Sequence, residues 1–363
     1  MGSFRTTLAI SVVLAHLSAR HLLVGGSAAV QLFYCVSGFL IAYVLTQGQS
    51  YTTKRSFYIN RALRIYPVYY AVAAVALVLS LHTGTEFMNV LSAISSLGKL
   101  ALGFVNFSIF GQDWVMFLAL HAGKIQLTAN FRASDLPLYL GLLIPQAWTL
   151  GVELSFYVLA PFLVTSLRRI WMALAIAAAT KAALIYLGLA TTDPWSYRFF
   201  PAEMVWFMLG ALSMRLLLPR FERYLEANLR ITALSVFSVL GLLVIYPLLP
   251  GSGEPGSIRS TILIGLVLVL LPAMFVFQKQ MPFDKAIGEL SYPIYICHML
   301  VFDLSTMVLA RFSMGKGVAA NVAKLVAVIA VAYGLNRFVA EPIEKLRKRF
   351  RRPLPVQAAM GCH

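Results

Sequence analysis

Two ionisable residues stand in the first apolar stretch of the chain, and their spacing suggests a chemical role for both. Residues 4–23 read FRTTLAISVVLAHLSARHLL, with Arg5 near the start and His16 eleven positions later. An ionisable side chain inside a membrane helix costs free energy, so its presence favours a functional role. On a helix the two Cα atoms lie about 16 Å apart, roughly half the hydrocarbon core of a bilayer. The helix is predicted to hold a cation at one membrane face and an imidazole beyond the midplane.

His16 is the best candidate for a general base. An imidazole titrates near neutral pH, which suits removal of a proton from an attacking hydroxyl. Glu153 is predicted to lie about 8–10 Å inside the outer end of the helix over 149–167. We therefore expect Glu153 and His16 to share one layer, with the carboxylate orienting the imidazole. The alternatives are a structural hydrogen bond of His16 between helices and an ion pair of Glu153 with Arg198.

The composition limits the class of protein. The 363 residues are 60% hydrophobic and 12% charged, and soluble globular domains have about twice that charged fraction. This predicts an all-α polytopic integral membrane helical bundle. The formal net charge of +16 could indicate nucleic-acid binding, but the basic residues fall in short clusters between apolar runs, as in loops kept in the cytoplasm. We expect no nucleic-acid partner, and the three cysteines show no spacing typical of a metal site.

Apolar runs long enough to cross a bilayer predict about ten transmembrane helices. The basic clusters fall on one side if both termini are cytoplasmic and region 83–148 crosses an even number of times. Zero crossings, with outer-side or re-entrant segments, are favoured over two. We predict one transmembrane domain over 1–345 in the inner membrane, then a basic cytoplasmic tail over 346–363. The predicted spans are 4–23, 28–46, 66–82, 149–167, 170–190, 200–218, 231–249, 259–277, 291–311 and 318–339.

Four further stretches carry polar groups that a lipid-facing helix would avoid. They read VQLFYCVSGFLI in the second span, FYINRALRIYPVYY before the third, IPQAWTLGVELSFY at the fourth and LSYPIYICHMLV in the ninth. In this order, together with the Arg-x10-His pair, they resemble the acyltransferase 3 family, membrane O-acyltransferases that modify carbohydrates. The resemblance covers nearly the whole chain. Gln31 departs from it, because many members have an acidic residue before the Leu-Phe pair.

The resemblance implies transfer of an acyl group, usually acetyl, from cytoplasmic acyl-CoA to a hydroxyl of a glycan or of its lipid-linked precursor. It matches Arg5 and His16 to the family's essential pair and Arg64 to the arginine of the RIYP segment. Guanidinium groups bind phosphates bidentately, so Arg5, Arg64 and Arg61 are expected to bind the CoA donor. For Arg61 an ordinary positive-inside charge is the stronger alternative. No metal cofactor is expected.

Three other polar residues have two interpretations each. Ser37 could be an acyl-enzyme nucleophile, although Ser-Gly pairs in membrane helices mostly serve close packing. Trp148 could form a wall of the acceptor site or anchor its helix at the membrane interface. His298 could line the donor path or form an interhelical hydrogen bond. Three ionisable residues without motif support are expected to form internal pairs: Lys181, Glu203 and Asp303.

The sequence thus predicts an O-acyltransferase in which the acyl group passes from cations at the cytoplasmic face to His16 near the outer face. His16 would activate the acceptor hydroxyl for direct attack, or His16 or Ser37 would carry the acyl group in transit. The alternative is a proton-coupled transporter of a polysaccharide or lipid-linked precursor, with His16 and Glu153 as a proton relay. The chain shows no inverted repeat, which disfavours the transporter. The acceptor glycan and the oligomeric state stay open.

Overall fold

The chain folds into a bundle of α-helices, which confirms the predicted class. The computed structural model describes residues 1–17, 19, 22–47, 51, 53–121, 124–131, 134–312 and 317–349. Most of the predicted tail over 346–363 lies outside these residues. The helices are α1 (Gly2–His16), α2 (Gly26–Thr46), α3 (Lys54–Thr83), α4 (Glu86–Ala93), α5 (Ser96–Ser108), α6 (Gln112–Val115), α7 (Trp148–Leu163), α8 (Leu167–Tyr186), α9 (Phe200–Leu212), α10 (Leu218–Ala227), α11 (Leu229–Ile245), α12 (Ile258–Gln280), α13 (Pro282–Glu289), α14 (Ser291–Ala310), α15 (Val318–Leu335) and α16 (Glu341–Lys348).

Each of the ten predicted spans corresponds to a helix of the structure. Eight helical segments among the described residues are long and apolar enough to cross a membrane. The other two spans, α1 and α7, are helices of 15 and 16 residues, which corresponds to about 23 Å. They are the helices that carry the strongest candidates for catalysis. The protein is therefore a polytopic helical membrane protein.

The described part of region 83–148 consists of short elements. Helices α4, α5 and α6 have 8, 13 and 4 residues. Strand β1 (Leu118–His121) pairs antiparallel with β2 (Lys124–Leu127) and with β3 (Leu136–Pro137). None of these described elements is long and apolar enough to be a candidate membrane span. Zero crossings by this region stays a prediction. The sheet was not predicted, because strands of two to four residues show too little alternation to be recognised.

Helix α1 ends earlier than predicted. The sequence predicts a helix over 4–23, whereas the helix ends at His16 with Leu17 as its cap. At the other end, the carboxylate of Asp284 accepts hydrogen bonds from the backbone N–H groups of Gly2 and Ser3, at 2.7 and 2.8 Å. An acidic group there also stabilises the positive end of the helix dipole. His16 is thus the last helical residue, and its side chain is exposed rather than enclosed by the bundle.

Helix α1 runs parallel to α14. Near its start, the hydroxyl of Thr6 donates to the carbonyl oxygen of Ile287 at 2.7 Å. At its end, the rings of His16 and His298 have their centroids 5.0 Å apart. The ten steps from Thr6 to His16 on α1 therefore run alongside the eleven steps from Ile287 to His298 on α13 and α14. The two helices hold Arg5 and His16 at fixed heights in the bundle.

Helices α2 and α9 pack backbone against backbone through two glycines. A Cβ atom on Gly38 would lie 2.0 Å from the carbonyl oxygen of Phe207. A Cβ atom on Gly210 would lie 2.0 Å from the carbonyl oxygen of Cys35. Only residues without a side chain allow helices to approach this closely. Gly38 therefore serves close packing, which is one of the two interpretations of the Ser37-Gly38 pair. The close contact also fixes the position of Ser37.

A buried polar cluster joins α2, α8 and α9. The ammonium group of Lys181 lies 2.6 Å from the carboxylate of Glu203, which confirms the expected internal pair. The side-chain amide of Gln31 donates to the same carboxylate at 3.0 Å. An acidic residue in place of Gln31 would face Glu203 with like charge. The departure of Gln31 from the family pattern is therefore accommodated by Glu203.

The glycine packing predicts a specific sensitivity. We expect Gly38→Ala to lower the free energy of unfolding by about 1–3 kcal/mol, because the added methyl group overlaps a backbone carbonyl of α9. Thermal unfolding of the purified protein in detergent measures this. Gly265→Ala on α12 is the matched control, because a Cβ atom there meets nothing within 4 Å. Equal Tm values for Gly38→Ala and the wild type would contradict the packing.

Candidate active site

A cavity inside the bundle brings together residues that are far apart in the sequence. It encloses about 840 Å³ of space free of protein atoms, including its mouth. Helices α1, α2, α3, α7 and α14 supply its walls. Five of the predicted site residues line it, and so do four tyrosines that the sequence did not single out. The polar and charged side chains concerned are Arg5, Tyr34, Ser37, Arg61, Arg64, Glu153, Tyr157, Tyr292 and Tyr295.

Glu153 accepts two short hydrogen bonds on one oxygen. The hydroxyl of Ser37 donates to Oε1 at 2.6 Å, and the hydroxyl of Tyr157 donates to the same atom at 2.5 Å. Tyr157 lies one helical turn beyond Glu153 on α7, a spacing that places both side chains on one face. Glu153 therefore orients the hydroxyl groups of Ser37 and Tyr157 by accepting a hydrogen bond from each.

Arg61 is held firmly by its neighbours. Its side chain is buried, and its guanidinium donates to the hydroxyl of Tyr51 at 2.8 Å and to the amide oxygen of Asn60 at 3.2 Å. The same group faces the rings of Phe57 and Tyr157, 5.7 and 6.0 Å from their centroids. An ordinary loop cation would be solvated instead. Arg61 thus forms part of the cavity wall.

Arg5 and Arg64 leave their guanidinium groups available to a ligand. Both line the cavity, and among the described residues neither side chain makes a hydrogen bond or an ion pair. Arg5 interacts unfavourably with the charges of Arg64 and Arg61 and favourably with the charge of Glu153. Guanidinium groups with unused donors bind anionic oxygens bidentately. The pair is therefore suited to an anion, which would also relieve the repulsion between the two cations.

The part of the cavity that contains Ser37 lies at the height of Arg5 rather than of His16. A Cβ atom on Gly26 would lie 3.5 Å from the Cβ atom of Ala15, so the start of α2 adjoins the end of α1. Ser37 follows Gly26 by eleven residues, or about 16 Å along α2. Because α2 runs antiparallel to α1, Ser37 returns to the height of Arg5. Ser37 and His16 are thus separated by about 16 Å along the bundle.

The structure corrects the predicted layer of Glu153 and His16. Glu153 is hydrogen-bonded to Ser37 and therefore lies at the Arg5 end of the cavity. The prediction assumed that His16 lies well inside its helix, whereas the helix ends at His16. The carboxylate and the imidazole are consequently about two to three helical turns apart. A proton relay between Glu153 and His16, on which the transporter alternative depends, loses its geometric basis.

His16 is instead paired with His298. The Nδ1 atom of His16 lies 2.9 Å from the carbonyl oxygen of Val12, and Nδ1 of His298 lies 2.6 Å from the carbonyl oxygen of Tyr295. A carbonyl oxygen only accepts, so each neutral ring carries its hydrogen on Nδ1 and keeps a lone pair on Nε2. A backbone carbonyl therefore orients the imidazole of His16, in the role that the sequence assigned to Glu153.

His298 does not line this cavity but lies just beyond it. Its side chain is fully buried, and Nε2 has no hydrogen-bond partner among the described residues. The ring centroid lies 5.9 Å from that of Tyr295, which lines the cavity. On its other side, the ring centroid of His298 lies 5.0 Å from that of His16. Tyr295 and His298 thus lie between the cavity and His16.

Trp148 is enclosed by protein rather than placed at the membrane interface. Its side chain is 5% exposed, and the guanidinium of Arg198 lies 4.3 Å from its ring centroid. Asp193 holds Arg198 through two hydrogen bonds of 2.5 and 3.0 Å. Arg198 therefore pairs with Asp193 and not with Glu153. Contact of Trp148 with an acceptor stays a prediction.

Asp113 attaches the short elements of region 83–148 to α7. Its side chain is 1% exposed, and its Oδ1 atom lies 2.7 Å from where a Cβ atom on Gly151 would be. Oδ1 has no hydrogen-bond partner among the described residues. Burial raises the pKa of Asp113 to about 7, since desolvation disfavours the charged form. Gly151 stands two residues before Glu153, so this contact supports the helix that carries the site.

The missed tyrosines had a signal in the sequence. Tyr157 follows Glu153 by four residues, Tyr34 belongs to the polar stretch VQLFYCVSGFLI, and Tyr292 and Tyr295 belong to LSYPIYICHMLV. The hydroxyl of Tyr292 donates to the carbonyl oxygen of Ile65 at 2.7 Å. These spacings indicate polar helix faces, but they do not show which faces meet.

Comparison with known proteins agrees with this arrangement. The chain matches the family described as an acyltransferase domain over residues 3–337. It is 25% identical over 217 residues to an uncharacterized protein of Aquifex aeolicus (strain VF5), with 58% of this chain and 91% of that protein covered. It is 27% identical over 286 residues to Nodulation protein 10 of Rhizobium leguminosarum bv. viciae, with 75% of this chain and 71% of that protein covered. No solved structure matches the chain.

The fold and the cavity define a polytopic helical membrane protein with a buried, cationic polar site. The family match covers nearly the whole chain. The chain belongs to the acyltransferase 3 family and is a membrane O-acyltransferase, an enzyme that transfers acyl groups to a hydroxyl-bearing acceptor. This confirms the resemblance that its five motifs indicate.

The buried carboxyl of Asp113 predicts a pH effect on stability. Between pH 4 and 7 the folded protein keeps the proton that the unfolded chain has lost, so stability falls as the pH rises and levels off above pH 7. Asp113→Asn removes this dependence. We expect the difference in Tm between Asp113→Asn and the wild type to become more positive from pH 5 to pH 8, as measured by thermal unfolding in detergent.

The control for this pH series is Glu254→Gln. The side chain of Glu254 is exposed and forms no hydrogen bond or ion pair among the described residues, so the variant should leave the pH profile of the Tm unchanged. Parallel profiles of Asp113→Asn and the wild type would contradict the assignment.

Proposed function

We propose that this enzyme transfers an acyl group, most simply acetyl, from cytoplasmic acyl-CoA to a hydroxyl of a cell-surface or exported glycan. One observation carries the proposal. The cavity presents the unpaired guanidinium groups of Arg5 and Arg64 at one end, and beyond its Tyr295 wall lie His298 and the exposed imidazole of His16. A long anionic donor and a separate hydroxyl acceptor suit these two ends. The family match supports acyl transfer in general.

The arginine end is the donor end in this proposal. CoA carries several phosphate oxygens, and the donors of Arg5 and Arg64 can bind them bidentately. Arg61 adds a third positive charge from a fixed position. The positive-inside rule supports a cytoplasmic location of the arginine end. In this orientation the protein lies in the inner membrane with both termini in the cytoplasm. The basic residues in the first part of α3, which include Arg61 and Arg64, follow this rule.

The CoA arm would extend from the arginines towards His16. His16 lies about 16 Å from Arg5 along α1, so a phosphate-bound donor must be elongated to reach it. The arm of CoA contains amide groups. Nε2 of His298, which has no partner among the described residues, is a suitable acceptor for an amide N–H on this path. His298 would thus bind the donor, but close to its reactive end.

His16 is the proposed general base. Its Nε2 takes the proton of the acceptor hydroxyl while the hydroxyl oxygen forms a bond to the thioester carbonyl carbon. The bond between this carbon and sulfur then breaks, and the imidazolium returns the proton to the leaving thiolate. The carbonyl of Val12 accepts the hydrogen of Nδ1 throughout, which fixes the ring and stabilises the imidazolium. The exposed position of His16 leaves room for a large acceptor such as a glycan.

Direct attack on the donor is favoured over an acyl-Ser37 intermediate. Ser37 donates a hydrogen bond to Glu153, as an activated nucleophile would. An acyl group on Ser37 would nevertheless be about 16 Å from His16 and would need a further relay to reach the acceptor. We therefore assign Ser37 and Glu153 to the donor end. There the carboxylate of Glu153 offsets part of the arginine charge before CoA binds.

The test is transfer of labelled acetyl groups from acetyl-CoA to the glycan fraction of membrane vesicles from the host cell. We expect His16→Ala to reduce transfer by about 10²–10⁴-fold, because it removes the base. CoA binding should persist, since Arg5 and Arg64 are unchanged. His82→Ala is the matched control, an exposed histidine at the end of α3 that should transfer at the wild-type rate.

Two results would refute the proposal. Wild-type transfer by His16→Ala would exclude His16 as the base. Uptake of a glycan precursor without consumption of acetyl-CoA would favour the transporter alternative over acyl transfer.

A further inference from the structure

A second cavity lies between α11 and α12, and it shares no residue with the cavity of the candidate active site. It encloses about 1230 Å³ of space free of protein atoms, including its mouth. Its lining is mainly aliphatic, with Tyr246 and Arg259 as its largest polar side chains. The aliphatic residues are Leu242, Leu249, Ile258, Ile262, Leu263 and Leu266.

The polar groups of this cavity are only partly satisfied. The hydroxyl of Tyr246 is buried without a hydrogen-bond partner among the described residues, and the side chain is 2% exposed. The guanidinium of Arg259 lies 4.5 Å from the ring centroid of Tyr246 and donates to the carbonyl of Leu249, but its Nε atom has no partner. Within the described residues no carboxylate forms an ion pair with Arg259. Buried polar groups without partners cost free energy, which a ligand with acceptor oxygens would recover.

The position of the cavity indicates where such a ligand comes from. Arg259 is the second residue of α12, a helix of 23 residues or about 34 Å. The first turn of a helix of that length lies at the level of the lipid head groups. The side chains at the rim are strongly exposed, with Ile258 at 81% and Ile262 at 58%. On a membrane helix such side chains face lipid, so the cavity opens towards the bilayer.

We propose that this cavity binds one anionic phospholipid of the surrounding bilayer. An acyl chain fills the aliphatic part, and the phosphate accepts hydrogen bonds from Arg259 close to the positive end of α12. The hydroxyl of Tyr246 donates to an ester oxygen at the head of the chain. An anionic lipid is favoured because Arg259 has no protein counter-ion, whereas a zwitterionic head group brings its own cation. The proposal is independent of the acyl-transfer mechanism.

Native mass spectrometry of the delipidated protein in detergent tests the site. Phosphatidylglycerol and phosphatidylcholine with identical chains are titrated separately. We expect the wild type to bind one phosphatidylglycerol in preference to phosphatidylcholine. Arg259→Gln should bind phosphatidylglycerol about fivefold more weakly and lose the preference. Arg230→Gln is the matched control, because Arg230 is exposed at the other end of α11 and should bind both lipids as the wild type does.

A second variant keeps the test independent of the folding of Arg259→Gln. Ile262→Trp narrows the cavity and leaves Arg259 in place, so it should weaken the binding of both lipids. Equal binding of phosphatidylglycerol by the wild type and both variants would overturn the site. Displacement of phosphatidylglycerol by an equimolar polyprenyl phosphate would assign the cavity to a carrier lipid and overturn the proposed occupant.

Discussion

The placement of three arginines around one carboxylate constrains the rest of this structure. Buried charges are tolerated only when other charges or polar groups compensate them. Among the residues that line the active-site cavity, Arg5, Arg61 and Arg64 face Glu153 as their only carboxylate. Arg61 is compensated by Tyr51 and Asn60, so the excess positive charge falls on the other two arginines. A cavity with this charge distribution favours an anionic ligand at one end.

The short helix α1 determines the geometry of the proposed reaction. It runs parallel to α14, which keeps Arg5 beside the cavity and His16 beside His298. Because the helix ends at His16, the imidazole is exposed while its Nδ1 atom stays bonded to Val12. A base in this position can meet an acceptor outside the bundle and a donor inside it. The separation of about 16 Å is thus part of the proposed mechanism and not an obstacle to it.

Much of this arrangement could be predicted from the sequence, because hydropathy and charge report on membrane spans directly. The ten spans, the internal pair of Lys181 with Glu203 and the clustering of Arg5 with Arg64 belong to this part. The position of Glu153 relative to His16 along the bundle could not be predicted. It depends on where α1 ends, and the sequence hides that end because apolar residues continue past His16. Hydropathy also carries no information on which polar helix faces meet. The contacts of Ser37 and Tyr157 with Glu153 therefore required the structure.

The central claim is that one acyl-CoA molecule extends from the arginines to His16. An experimental structure of the enzyme with a non-hydrolysable acetyl-CoA analogue tests it most directly. We expect phosphate oxygens within hydrogen-bond distance of the guanidinium groups of Arg5 and Arg64. We also expect the carbonyl carbon of the acyl group within about 6 Å of Nε2 of His16, which leaves room for one acceptor hydroxyl. An acyl group beside Ser37, or phosphates at the His16 end, would contradict the account.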